Sequence, residues 1–166
     1  KTSTSGPIRS LFSAAEARPP GCTLFARRGP GRGHDRREAA LNGRRVLVID
    51  ACRTPFLRSG TAFREQTAYD LGPMAIAGLL HRTGVDPAAL GLVVMGTVVA
   101  DPDTSNVARE SALAAGVPSA TPAFTVTAAC ISANIAFKNA AHAIAAGDVD
   151  LAIAGGFRRV TLRWGL

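Results

Sequence analysis

"PAFTVTAACISANIAFKNAAHAIAAGDVDLAIAG", residues 122–155, holds a complete strand–helix–strand unit. Residues 122–128 are rich in aromatic and β-branched types, and Pro122 stands at the first position, where a ladder donor is not needed. After Cys130 the composition turns to good helix formers, which predicts a helix running to about Ala146 and stopped by Gly147. "VDLAIAG", residues 149–155, is again of strand length.

Working outward, the same alternation continues. "LVVMGTVV", residues 92–99, is a continuous apolar run and reads as a strand covered on both faces. "DPDTSN" leaves it as a loop, and "VARESALAAG", residues 107–116, is a short helix closed by Gly116. Further back, the spacing of Leu71, Met74, Ala75, Leu79 and Leu80 predicts a helix over Asp70–Arg82 that ends at Gly84. Asp70 is its expected N-cap and Pro73 falls in its first turn. "RVLVIDA", residues 45–51, has the pattern of another doubly covered strand, and "RTPFLRSGT" after it reads as a loop. Strands alternating with helices imply an α/β fold with a mostly parallel sheet covered by helices.

Cys130 sits at the junction of the quoted strand and helix. Burial is the commonest fate of a free cysteine. A helix N-terminus at the carboxyl end of a strand nevertheless favours an anion, through its unpaired N–H groups and the helix dipole, and so favours a thiolate nucleophile. The helix itself is apolar on nearly every face, interrupted by Asn134, Lys138, Asn139 and His142. Such a helix belongs in the middle of a larger assembly, yet its first residue can still be presented to a pocket.

The formal charge of +7 divides unevenly. Residues 1–45 carry ten Lys/Arg against three acids, whereas 46–166 carry nine of each. A nucleic-acid-binding body is therefore not indicated. The leader, centred on "SLFSAAEARPPGCTLFARRGPGRGHDRRE", has no sustained apolar periodicity and reads as a disordered, Arg- and Ser-rich mitochondrial transit peptide, with a solvated basic tail as the alternative. The glycines of "RRGPGRGHD" neither follow a strand nor open a helix, so no dinucleotide fingerprint is read there. Three cysteines without paired spacing indicate neither a disulfide framework nor a metal site. No apolar run approaches the roughly 18 residues of a membrane span.

"RTPFLRSGT", "GLLHRTGV", "TSNVARESALAAGVP" and "TVTAACISAN" stand in an order and spacing that resembles the N-terminal half of thiolases, most closely the β-subunits of mitochondrial trifunctional proteins of fatty-acid oxidation. The resemblance implies a thiolase-like N-terminal domain over residues 46–156, truncated, behind the 1–45 leader and ahead of a divergent tail at 157–166. It implies an acyl-CoA acyltransferase of β-oxidation in which Cys130 accepts the acyl group from a 3-ketoacyl-CoA and passes it to coenzyme A as co-substrate. It further implies a homo-oligomer partnered by a trifunctional α-subunit, in the mitochondrial matrix or at the inner membrane, with no metal and no permanently bound cofactor. In the family, the catalytic base, a second cysteine and most CoA contacts come from a C-terminal repeat that these residues do not include.

Cys52 and Cys22 match no catalytic position. His34 lies in the leader, His81 near a helix end, and His142 twelve residues beyond Cys130, about 18 Å along a helix and too far to serve its thiol. Asn106 and Arg109 fall in a segment that the resemblance places near a subunit interface, which implies structural roles. After Gly156 the pattern departs from the family in "FRRVTLRWGL". The chain is accordingly expected to be inactive alone, and the competing reading is a non-catalytic fragment or isoform that binds a full-length thiolase subunit.

Overall fold

The strand β3 (Leu92–Thr97) lies inside the sheet, and its alternation explains why its sequence is apolar throughout. Val93 and Met95 point into one helical layer, Leu92 and Val94 into the other. The computed structural model describes residues 24–29, 45–58, 60–99 and 104–157. Their element order is β1 (Leu24–Gly29), β2 (Arg45–Val48), α1 (Ala68–Thr83), a 3-10 turn at Pro87–Ala89, β3, α2 (Val107–Ala114), β4 (Ala123–Val126), α3 (Ser132–Ala146) and β5 (Leu151–Phe157).

The five strands form one sheet in the order β2-β1-β5-β3-β4. β3 pairs in parallel with β4 and with β5, while β1 runs antiparallel to both β5 and β2. Four strands therefore share one direction and β1 alone opposes them, which gives the mostly parallel, helix-covered α/β sheet expected. From β2 to β3 to β4 the chain advances across the sheet, and from β4 to β5 it turns back. Right-handed crossovers require the helix to change faces when the direction reverses. Accordingly Ile76, Leu79 and Leu80 of α1 and Ala108 and Ala112 of α2 pack with Val93, Met95 and Ile153 on one face. Ala136, Ala140 and Ile144 of α3 pack with Leu92, Val94, Ala152 and Ala154 on the other. The fourfold spacing of Ser132, Ala136, Ala140 and Ile144 is the buried stripe of α3, and Asn134, Lys138 and His142 lie on its exposed side.

Three expectations are corrected. First, the helix assigned to Asp70–Arg82 begins at Ala68, with Thr67 as N-cap. Asp70 is the third helical residue, and its carboxylate accepts both the Thr67 N–H and the Thr67 hydroxyl at 2.7 Å. Pro73 therefore lies in the second turn, where it removes an intrahelical donor. The Gly84 stop stands: its φ is 66° and its N–H reaches Leu80 O at 2.9 Å.

Second, "RVLVIDA" is not covered on both faces. Only Arg45–Val48 is strand, it lies at the sheet edge, and Leu47 and Val48 are 44% and 51% exposed. Val46 still packs against the α3 layer.

Third, residues 24–29 of the leader form β1, registered Leu24↔Ala154 to Arg27↔Leu151 on β5. An unpaired edge of β5 offers backbone N–H and C=O groups that almost any Pro-free stretch can satisfy, so pairing does not require the apolar periodicity that the leader lacks. The glycines of "RRGPGRGHD" do follow a strand, since β1 ends at Gly29; the remaining expectations for the leader, and for the tail after Phe157, fall outside the described residues.

Candidate active site

Ligands of open α/β sheets bind beyond the carboxyl ends of the strands, where the chain reverses direction across the sheet. Here that place is the end of β3, β4 and β5, and the residues leaving β4 for α3 cross it. Cys130 is among them, two residues before α3 begins, and is exposed. The common burial of free cysteine therefore does not apply to it. α3 starts without a capping side chain, so the field of its N-terminus is not offset by a local carboxylate or hydroxyl cap.

The turn that carries Cys130 is closely determined. Ala129 has φ 48°, the only positive φ of a non-glycine residue among those described, and the left-handed conformation costs an alanine about 1 kcal/mol or more. It is held from both sides. The Ile131 N–H donates to Ala128 O and the Ser132 N–H to Ala129 O, each at 3.2 Å. The Ser132 hydroxyl accepts the Ala128 N–H at 2.8 Å, with Ala129 O at 2.7 Å and Thr97 O at 2.9 Å within reach of its own hydrogen.

Beneath this turn two glycines face each other across the β3–β5 ladder, Gly96↔Gly156. A Cβ on Gly96 would come 2.3 Å from Ser132 C and 2.6 Å from Ala133 N, and one on Gly156 would come 2.7 Å from Ala133 Cβ. The first turn of α3 thus rests on bare backbone. A glycine inside an apolar strand signals a close approach of this kind, and Gly96 in "LVVMGTVV" carried that signal, although the sequence reading passed over it. Ser132, Gly96 and Gly156 are the supporting residues it missed.

The other singled-out residues lie elsewhere. Cys52 is half-buried against the α1/α2 layer and donates its thiol hydrogen to Ala75 O at 3.1 Å. Asn106 caps α2, accepting the Arg109 N–H at 3.1 Å and the Thr125 hydroxyl at 2.9 Å while donating to Ala123 O at 2.9 Å. Arg109 donates to Thr121 O and Ser119 O at 2.9 and 2.7 Å. Both tie α2 to β4 and its approach, which are structural tasks. His81 in the last turn of α1 and His142 on α3 are exposed, and the unbroken helix keeps His142 about 15 Å along its axis from Ser132. His34 and Cys22 lie outside the described residues. Within the described residues no group of three or more His, Cys, Asp or Glu could hold a metal ion, and no helix is long and apolar enough to cross a membrane.

Residues 46–163 match the family model described as "Thiolase, N-terminal domain". The mitochondrial trifunctional enzyme subunit beta of Bos taurus is 49% identical over 118 residues, covering 71% of this chain and 25% of that protein. The 3-ketoacyl-CoA thiolase of Serratia proteamaculans is 41% identical over 115 residues, covering 69% and 26%. Among solved structures, the acetyl-CoA acetyltransferase of Bacillus anthracis superposes with a TM-score of 0.60 at 30% identity, over 68% of this chain and 31% of that one. The chain spans about a quarter of the length of the curated relatives it matches. With a family match running from the edge strand β2 through the Cys130 turn and beyond β5, this chain belongs to the thiolase family.

Proposed function

We propose that the chain is the nucleophile-bearing part of a 3-ketoacyl-CoA thiolase of mitochondrial fatty-acid β-oxidation, with Cys130 as the acyl acceptor. The observation that carries this reading is the position of Cys130: exposed, on a held turn, at the start of α3 and at the carboxyl end of the sheet. The names of the relatives support the substrate class and the organelle.

In the proposed reaction the Cys130 thiolate attacks the C3 carbonyl carbon of a 3-ketoacyl-CoA. The C2–C3 bond breaks, its electron pair leaves on C2, and protonation there yields acetyl-CoA. The acyl thioester on Cys130 is then attacked by the thiolate of free CoA, giving the shortened acyl-CoA and restoring the cysteine thiolate. The proton taken by C2 equals the one given up by the CoA thiol. Within this chain Cys130 forms and releases the thioester. Neither described histidine serves as the base, because both lie on exposed helical surface, His142 far along α3 and His81 at the end of a helix on the opposite face. Turnover accordingly needs groups from other sequence of the enzyme, and a chain limited to these residues is acylated without cycling.

The test is incubation of the 166-residue chain with acetyl-CoA and with acetoacetyl-CoA, followed by peptide mass analysis. An acetyl adduct on Cys130, absent from Cys52 and from Cys130→Ala, is expected, with no multiple turnover above the Cys130→Ala control. A chain that iodoacetamide labels at Cys130 but neither acyl-CoA acylates refutes the nucleophile reading.

A non-catalytic role, binding a full-length thiolase subunit, has one observation in its favour. Val98, Val99 and Ile131 are exposed apolar residues that leave the carboxyl ends of β3 and β4. A full-length subunit added to the chain would co-elute with it in size-exclusion chromatography under this reading. The same chain acylated at Cys130 would decide for the enzyme.

A further inference from the structure

Cys130 follows directly on the strained residue Ala129, and one side chain spans that strain. We propose that Ser132 is a positioning residue whose hydroxyl holds Ala129 in its left-handed conformation and thereby fixes the direction in which Cys130 is presented. The proposal rests on the reading of Cys130 as the reactive thiol and adds to it the device that aims it.

The geometry carries the inference in three steps. A strained backbone residue persists only where its surroundings over-determine it. Around Ala129 the over-determination is concentrated in Ser132, which is 3% exposed. Its hydroxyl oxygen accepts the N–H of the residue before Ala129, its hydroxyl hydrogen lies within reach of the carbonyl of Ala129 itself, and its backbone N–H donates to that same carbonyl. Second, the single hydroxyl hydrogen is shared between Ala129 O and Thr97 O at the end of β3, 2.9 Å away, so the hydroxyl also reaches outside the turn. The turn is thus referenced to the sheet as well as to α3. Third, Ser132 has little freedom to move, since its backbone lies against Gly96, where even a Cβ would come within 2.5 Å of Ser132 O. A buried hydroxyl with one donor and two acceptors in reach, on an immovable backbone, is a fixed reference point. Without it, Ala128 loses the partner of its N–H and Ala129 is free to leave the left-handed region, carrying Cys130 away from the start of α3.

The test uses the 166-residue chain and its Ser132→Ala and Ser132→Thr variants, with pseudo-first-order iodoacetamide labelling of Cys130 and Cys52 followed by peptide mass at one neutral pH. Cys52, in the α1/α2 layer, reports the integrity of the core on the opposite face of the sheet. The expected result is a fall of at least threefold in the Cys130 rate for Ser132→Ala with the Cys52 rate unchanged, and a Cys130 rate within twofold of the parent for Ser132→Thr, which keeps the hydroxyl. A Cys130 rate unchanged in Ser132→Ala overturns the proposal. So does a rise at both cysteines, which makes Ser132 a support of the core, and so does a Ser132→Thr variant that behaves like Ser132→Ala. Alkylation reads the presentation of the thiol whether or not it is acylated in turn, so a failed acylation test and a failed positioning test are separable.

Discussion

Replacing Gly96 by alanine probes the platform on which the Cys130 turn stands. The added methyl carbon would lie 2.3 Å from Ser132 C, 2.5 Å from Ser132 O and 2.6 Å from Ala133 N. All three are backbone atoms, so no rotamer change relieves the overlap. Restoring an ordinary contact of about 3.4 Å requires the first turn of α3 to retreat by about 1 Å, and interiors are too densely packed to yield that freely. Overpacking typically costs about 1–3 kcal/mol, and the rigidity of the obstacle puts this case near the top of the range. The lower strand cost of alanine relative to glycine returns about 0.5–1 kcal/mol. A net loss of about 2–2.5 kcal/mol is expected, a large share of the roughly 5–15 kcal/mol that holds a domain together. With a urea slope of about 2 kcal/mol/M, the unfolding midpoint should fall by about 1–1.25 M. Gly116→Ala is the control: its φ is 86° but a Cβ there meets nothing within 4 Å, so only the left-handed penalty of about 1 kcal/mol applies. A Gly96→Ala midpoint within error of the parent, or higher than that of Gly116→Ala, would refute the close-approach reasoning.

Cys130 should react with iodoacetamide faster than Cys52 near neutral pH, because the first is exposed and the second is half-buried and donates to Ala75 O; equal rates in a folded sample contradict the placement. Ile153→Ala, at a fully buried position of β5, should cost about 2–5 kcal/mol in denaturant unfolding, whereas Leu47→Ala on the edge strand should stay within about 0.5 kcal/mol. Similar losses for the two would mean that β2 is covered after all. Asn106→Ala removes the α2 cap together with the bonds to Ala123 O and Thr125 and should lower stability by about 1–2 kcal/mol without changing the Cys130 alkylation rate. Residues 1–45 fused to a fluorescent reporter should direct it to mitochondria, and a cytosolic reporter removes the targeting proposal.

Much of this protein was legible from residue types alone. The continuous apolar run at 92–99 predicted a strand with helices on both faces, and β3 has them, because alternate side chains of a strand leave in opposite directions. Gly84 and Gly147 ended helices where only a left-handed residue could satisfy the last carbonyls, and both carry positive φ. The junction of strand and helix placed Cys130 at the mouth of the sheet, since that position depends only on where two local patterns meet.

Other features depended on pairings between residues distant in sequence. The apolar run at 45–51 looks like β3 in composition, yet it is an edge strand, because a stretch of the leader lies between it and β5. Backbone pairing is indifferent to the side-chain pattern that a sequence reading relies on. The support of the Cys130 turn was hidden for a related reason. Gly96, Gly156 and Ser132 are 36 or more residues apart in two of their three pairings, and what unites them is the absence of a side chain at two positions and one hydroxyl hydrogen bond reaching back to Thr97. Local propensity therefore determined which segments after the leader are strands, where the helices stop and where the cysteine falls. Tertiary structure alone decided which strand became an edge and what holds the cysteine in place, because those outcomes depend on non-local backbone contacts that leave almost no trace in composition or periodicity.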